Sequence, residues 1–169
     1  CKYMYKFVHV CMYTINVHVP KKLKIKMNIK HHFFSSIILT LVLYPLVGFY
    51  SLWAFVGGYL IDFDHYLWSM YRNKSFSLPK AYKYHFGRHK KRNYEKDLLH
   101  LFHTWEFIAL MILCTVSSYL LKLEFFYYMF SMTLLGMTLH LALDFGGLIT
   151  MKHLDARAIS LIGWIKRKK

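Results

Sequence analysis

Acidic residues and cysteines are both scarce in this chain. Only 8 of its 169 residues are Asp or Glu, against 23 Lys and Arg, so the formal net charge is +15. The three cysteines have no paired spacing, which argues against a disulfide framework and against a cysteine-type zinc site. Internal repeats and low-complexity tracts are absent from the sequence as well.

Apolar residues, in contrast, are abundant. They make up 56% of the chain, aromatic residues make up 19%, and the mean hydropathy is +0.26. A nucleic-acid-binding domain of this charge would carry far less apolar bulk, and a disordered basic tail would carry almost none. The composition therefore predicts a small integral membrane protein with its positive charge confined to certain segments. The expected partner is the lipid bilayer rather than nucleic acid.

The apolar residues form stretches long enough for membrane-spanning helices, which need roughly 20 residues each. The first stretch, residues 33–67, is long enough for two short spans, and Pro45 and Gly48 supply a break near its middle. We therefore predict an all-α integral membrane bundle of about four transmembrane helices. Its spans are Phe33–Phe49, Ser51–Met70, Leu98–Leu121 and Phe125–Ile149.

The basic residues orient these four spans. Of the 23 Lys and Arg, 22 precede the first span, lie between the second and third, or follow the fourth; the exception is Lys122. Four spans place those three groups on one side of the membrane and Lys122 on the other. The positive-inside rule then predicts that both termini and the basic loop 71–97 are cytoplasmic. The expected location is the cell (inner) membrane, as a multi-pass protein.

The two ends of the chain lie outside the predicted membrane domain, residues 27–151. Residues 1–26 show no sustained periodicity and no small-residue cleavage site after an apolar core, so they make a poor signal peptide. We interpret them as a non-native or disordered extension, with translation starting at Met27. Residues 152–169 form a basic cytoplasmic tail.

Half of the acidic residues lie in or beside apolar spans, each with a histidine within four positions. An ionisable group at the bilayer centre costs about 2.5–3.5 kcal/mol on insertion scales, so such groups indicate a function. The predicted topology places all of these clusters at one level, near the cytoplasmic face. The candidate metal ligands are His32, Asp62, Asp64, His65, His100, His103, Glu106, His140 and Asp144.

Helical spacing pairs several of these side chains. Residues three or four apart share a helix face, which pairs Asp62 with His65, His103 with Glu106, and His140 with Asp144. Imidazole and carboxylate ligands without thiolate suit Zn, with Mn or Fe as alternatives, and their number permits one or two ions. Di-metal sites in soluble four-helix bundles are built in the same way.

The segment from Gly57 to His65, Gly-Gly-Tyr-Leu-Ile-Asp-Phe-Asp-His, resembles the G-x-L-x-P-D-x-D-H signature of the YdjM-like membrane-bound proteins. A histidine before the first span (His31 or His32) and a final H-x-x-x-D (His140 and Asp144) are similar to the rest of that family's pattern. Ile61 stands where the signature has proline, and the family's H-R-x-x-T-H-S run is replaced by residues 100–106. The resemblance covers about residues 27–149 and implies metal-dependent hydrolysis, without naming a substrate.

The leading hypothesis is a metal-dependent hydrolase at the cytoplasmic membrane face. Glu106 or Asp64 would be the general base, and an anionic phospholipid-type substrate would be attracted by basic side chains of the central loop. The loop residues concerned are Arg88, Lys90, Lys91 and Arg92. The alternatives are a proton or metal-ion transporter that uses the same histidines and aspartates, and a non-enzymatic membrane protein with a structural metal site.

Overall fold

The computed structural model describes residues 29–81, 99–151 and 158–168, and this part of the chain is helical without strands. The predicted all-α class is therefore confirmed for the described residues. The helices are α1 (Ile29–Val47), α2 (Leu52–Tyr59), α3 (Phe63–Asn73), α4 (Trp105–Leu120), α5 (Glu124–Met151) and α6 (Leu161–Lys168). Three short 3-10 turns adjoin them, at Gly48–Ser51, Leu60–Asp62 and Leu101–His103.

Several predictions fall on residues outside these ranges. They concern the N-terminal extension, the start at Met27, and the basic loop side chains Arg88, Lys90, Lys91 and Arg92. Residues 152–157 and 169 of the tail also lie outside the described residues.

Helices α1 and α2 form an antiparallel hairpin. Gly48 adopts a φ of 59°, in the left-handed region that glycine enters without steric cost, and the chain reverses there. The reversal brings the start of α1 against the end of α2, where the rings of Phe33 and Tyr59 lie 5.2 Å apart. The apolar stretch Ile29–Asn73 is thus folded on itself near the predicted break.

The second predicted span consists of two helices joined by a 3-10 turn. α2 ends at Tyr59, the turn covers Leu60–Asp62, and α3 continues from Phe63. The i→i+3 pattern of a 3-10 turn rotates the following residues relative to a continuous α-helix. The short turn therefore decides which way Asp62 and the side chains after it point.

Small residues allow α1, α2 and α5 to approach closely. A Cβ atom on Gly57 would overlap the Thr133 carbonyl oxygen, and one on Gly136 would overlap the Ala54 carbonyl oxygen. Gly58 faces the Ser36 hydroxyl of α1 in the same way. Backbone contact through small residues is the usual packing of membrane helices, where dispersion rather than the hydrophobic effect brings helices together.

The described part of the bundle buries many polar side chains and exposes many large apolar ones. The buried residues of α1 are His32 and Ser36, whereas Ile38, Leu41 and Leu46 of the same helix are more than 60% exposed. Two helical segments, Ile29–Asn73 and Glu124–Ile149, are long and apolar enough to span a membrane. Only 6% and 22% of their most apolar windows are buried, so these helices do not form the core of a soluble domain.

The two ends of the bundle differ in chemistry. At the end with the 48–51 and 121–123 turns, the rings of Tyr50 and Tyr128 stack with centroids 4.7 Å apart, and Trp53 contacts Phe125. At the opposite end the start of α1, the 60–62 turn, the start of α4 and the later part of α5 come together. The histidines and aspartates of the sequence pattern lie at that end.

The close contact between α2 and α5 predicts a strong dependence on Gly136. We expect Gly136→Ala to lower the free energy of unfolding by about 1–3 kcal/mol, because the added methyl group forces the two backbones apart. The matched control is Gly146→Ala in the same helix, where the methyl group meets no atom within 4 Å. That variant should be neutral or slightly more stable. Thermal unfolding in detergent measures both, and equal melting temperatures for the two variants would contradict the packing described.

Candidate metal centre

Two histidines from different helices meet at the centre of the polar end. His103 Nε2 lies 3.2 Å from His140 Nε2, and both side chains are inaccessible to solvent. His103 belongs to the turn before α4, and His140 is on α5, so 37 residues separate them in sequence. The helix packing, rather than a local motif, creates this pair.

The partners of the other ring nitrogens orient both imidazoles. His140 Nδ1 lies 2.9 Å from the Gly58 carbonyl oxygen, an acceptor, so Nδ1 donates. His103 Nδ1 lies 3.1 Å from Asp64 Oδ2 and donates to that carboxylate. In a neutral imidazole the proton on Nδ1 leaves a lone pair on Nε2. Both Nε2 atoms can therefore act as metal ligands, each backed by the outer hydrogen bond typical of ligating histidines.

Two carboxylate oxygens complete a compact set of four acceptor atoms. Asp62 Oδ1 lies 3.3 Å from His140 Nε2 and 3.8 Å from His103 Nε2. Asp144 Oδ2 lies 3.6 Å and 3.7 Å from the same two nitrogens. Ligand atoms of a tetrahedral zinc site with bonds of about 2.0–2.1 Å are about 3.3–3.4 Å apart. The observed spacings exceed that value by a few tenths of an ångström at most and match it at the closest pairs.

His32 adds a further nitrogen beside Asp144. Its Nε2 lies 3.1 Å from Asp144 Oδ1, and its ring stacks on His140 with centroids 4.1 Å apart. Its Nδ1 is buried and has no hydrogen-bond partner among the described residues. The neighbouring His31 is exposed on the other side of α1. Of the two histidines before the first span, the structure thus places His32 at the centre.

A second group of potential ligands surrounds Asp64. His65 Nδ1 lies 2.7 Å from Asp64 Oδ1, His100 Nδ1 lies 3.8 Å from the same oxygen, and the two imidazole rings stack at 3.8 Å. Asp64 is nearly buried and also accepts the Phe102 backbone N–H at 3.1 Å. Its carboxylate therefore joins α3 to the segment before α4. His65 Nε2 faces Asp62 Oδ1 at 3.8 Å, which connects this group to the first.

Three sets of side chains, two of which share His140, could hold a metal ion, and eight of the nine predicted ligands belong to them. The sets are His32, His140 and Asp144; Asp62, His103 and His140; and Asp64, His65 and His100. Within each set the ligand atoms lie within 4.8 Å of one another. The predicted pairs Asp62 with His65 and His140 with Asp144 form contacts of 3.8 and 3.6 Å.

Glu106 is the predicted ligand that the structure places elsewhere. Its carboxylate accepts hydrogen bonds from the Ser160 hydroxyl at 2.6 Å, the Leu161 N–H at 2.9 Å and the Ile162 N–H at 3.2 Å. The expected face shared with His103 does not form, because Thr104 between them is extended, with φ −88° and ψ 152°. Helical i,i+3 spacing does not apply across such a break. The predicted continuous helix from Leu98 likewise begins only at Trp105.

Sequence reasoning missed four features of this site and its surroundings. The Gly58 carbonyl and the Phe102 N–H are backbone groups, so no residue type indicates them. Thr104 caps α4 by accepting the Phe107 N–H, and threonine is one of the residues that favour the position before a helix, so a helix start at Trp105 could have been predicted. The contact of Glu106 with Ser160 spans 54 residues and has no local signature.

The chemistry of the donor set is compatible with a bound metal ion. Two imidazole lone pairs and two carboxylate oxygens face one another in a buried place, and such a group needs positive charge between its members, as protons or as a metal ion. Comparisons provide no independent guide here: no protein-family model, curated protein or solved structure matches the chain at a significant level. The buried His and Asp side chains could hold a metal ion, and its identity is open between Zn, Mn and Fe.

Removing a central ligand should release the metal. We expect detergent-purified wild-type protein to contain near-stoichiometric divalent metal by elemental mass spectrometry, and His140→Ala and Asp62→Ala to lose most of it. The matched control is His31→Ala, which removes an exposed histidine beside the site and should leave the metal content unchanged. Metal-free wild-type protein, or full retention in both ligand variants, would count against the site.

The position of Glu106 predicts a different result for that residue. Glu106→Gln should retain the metal, because the carboxylate is not among the clustered ligand atoms. It should instead weaken the hydrogen bonds to residues 160–162, so that amide hydrogen exchange in α6 becomes faster. Metal loss in Glu106→Gln with unchanged exchange would show that the sequence-based assignment was right.

Proposed function

We propose that this protein is a metal-dependent hydrolase of a membrane, with the site formed by Asp62, His103, His140 and Asp144. The observation that carries the proposal is the convergence of two Nε2 atoms, whose Nδ1 atoms are both engaged, with two carboxylate oxygens. The YdjM-like resemblance of residues 57–65 points to the same chemistry. A divalent metal held there would polarise a substrate oxygen and lower the pKa of a water molecule.

The apolar exterior supports the membrane part of this proposal. Helices α1, α2 with α3, α4 and α5 would be the four spans, with the aromatic end at one interface and the metal centre near the other. Aromatic rings are enriched at membrane interfaces, and the rings near Tyr50 and Tyr128 fit that position. The cytoplasmic placement of the metal centre follows from the distribution of basic residues in the sequence.

In this proposal His65 is the general acid and base, and Asp64 orients it. Asp64 already accepts hydrogen bonds from Phe102, His103 and His65, so its role is to orient imidazoles. His65 keeps about a quarter of its side chain exposed, whereas His103 and His140 have none. His65 is therefore the imidazole that a substrate can reach. It would take a proton from the attacking water as the water oxygen bonds to the substrate centre, and would deliver that proton to the leaving oxygen as the bond between this oxygen and the substrate centre breaks.

The hydrophobic core favours hydrolysis over transport. Ile61, Met111 and Met137 are buried together, with Phe130 and Leu134 packed against them. On α4 and α5 these residues lie between the histidines and the aromatic end. An ion or proton path through the bundle needs polar groups along its whole length, and this apolar cluster would interrupt such a path.

Hydrolysis should depend on His65 more than metal binding does. We expect His65→Gln to lower kcat by about 10²- to 10⁴-fold, the usual contribution of a positioned general base, while most of the metal is retained. The assay would measure release of the leaving group from a panel of phosphate and carboxylate esters presented in mixed micelles, with chelation and metal re-addition on the wild type. The control is His31→Ala, which also removes one imidazole and should leave kcat unchanged. Wild-type protein that binds metal but hydrolyses none of these esters would reject the hydrolase proposal.

A further inference from the structure

An open cleft of about 480 Å³ lies between α3 and α6. Leu67, Trp68 and Tyr71 of α3 line it together with Leu101 and Trp164, and Asp64 is the lining residue that belongs to the histidine and aspartate cluster. Volumes of this size are typical of sites for small ligands. The walls are largely apolar, so the cleft suits a hydrocarbon chain better than a sugar or a nucleotide.

One residue of the α3 wall, Trp68, has an indole N–H that the described residues leave unpaired. Trp68 Nε1 is buried and has no hydrogen-bond partner among the described residues. An unsatisfied buried N–H costs roughly as much as a lost hydrogen bond, so such donors are normally paired. A ligand oxygen that reached Trp68 would supply the acceptor that this N–H lacks. An amphiphile with an ester or phosphate oxygen beside its apolar chain has the matching acceptor.

The helix that closes the cleft has the composition of a membrane-interface segment. Ile162 and Ile165 of α6, and Ile159 just before it, are each more than 40% exposed, and Lys166, Arg167 and Lys168 follow directly. A helix with one apolar face and a cationic end lies at the surface of a bilayer and attracts anionic headgroups. α6 thus places the mouth of the cleft at a lipid surface.

Glu106 determines the position of this helix. Its carboxylate binds the Ser160 hydroxyl and the first two N–H groups of α6, and the Trp105 N–H donates to the Ile159 carbonyl at 3.0 Å. These contacts attach α6 to the start of α4, next to the turn that carries His103. The wall formed by Trp164 is therefore tied to the same segment as the metal ligands.

We propose that the cleft between α3 and α6 binds the apolar chain of an anionic phospholipid taken from the bilayer, with its polar linkage at Trp68 and its headgroup toward the metal centre. This inference rests on the proposed hydrolase function and specifies its substrate class. Trp68 and Trp164 are positioning residues, because they hold the lipid and do not contact the reacting atoms.

The test is photo-crosslinking of the full-length protein in phosphatidylcholine nanodiscs. The probe is phosphatidic acid with a diazirine in one acyl chain, and the comparison is phosphatidylcholine with the same labelled chain. We expect phosphatidic acid to label peptides containing residues 67–71 and 164, at least about fivefold more than phosphatidylcholine does, because of the basic residues nearby. Free glycerol phosphate should not compete, since it lacks the chain.

Three variants make the result specific. Trp164→Ala removes one wall and should reduce cleft labelling, and Trp68→Phe keeps the ring but removes the N–H donor, so it should reduce labelling without altering the fold. The matched control is Phe49→Ala, an exposed aromatic residue at the other end of the bundle, which should label like wild type. Uniform labelling of all lipid-facing helices, unaffected by Trp68→Phe and by Trp164→Ala, would overturn the inference.

The metal-site variant separates the two proposals. His140→Ala should lose metal and hydrolysis but keep cleft labelling, because it does not line the cleft. Cleft labelling by a wild-type protein that hydrolyses no ester would sustain the lipid site and reject the hydrolase. Ester hydrolysis without cleft labelling would sustain the hydrolase and reject the lipid site.

Discussion

Two imidazole nitrogens and two carboxylate oxygens face one another inside the helical bundle, and the positive charge that they require is the constraint on which the rest of the structure depends. His103, His140, Asp62 and Asp144 come from three separate parts of the chain, so the site exists only when those parts are packed to within a few tenths of an ångström. Buried carboxylates without a compensating cation are costly in any protein and more so near hydrocarbon. The geometry of the site therefore forms only if the helices pack correctly.

The close approach of α2 and α5 connects helix packing with the geometry of the site. Gly57 and Gly136 let the backbones touch, and the same approach brings the Gly58 carbonyl to His140 Nδ1. Larger residues would separate the helices and leave that imidazole without its orienting acceptor. Asp64 has the corresponding role on the other side, where it holds His103 and the Phe102 backbone against α3. Backbone packing and hydrogen bonding thus fix the histidine orientations before any metal binds.

Much of this arrangement was predictable because membrane-like sequences carry few polar residues. Aspartate and histidine close together are unusual in an apolar helix, so the eight candidate ligands that cluster were easy to recognise in the sequence. Glu106 stood out equally, but the structure places its carboxylate away from the cluster. Its i,i+3 relation to His103 presumes a continuous helix, whereas the extended Thr104 turns the chain and sends the carboxylate to α6. The i,i+3 spacing shows which side chains share a face only when both residues lie within one helix, and it does not apply when one of them precedes the helix start.

The sequence by itself determined the helical class, the apolar stretches, their break near Gly48 and the set of residues available to bind a metal, because these follow from local composition and spacing. Only the tertiary structure decided which nitrogen of each histidine faces the centre, that His32 rather than His31 takes part, and that Asp64 orients other side chains. It also decided that α6 closes a cleft beside the site. These features depend on contacts between residues some 40 to 110 positions apart, and local composition carries no information about them.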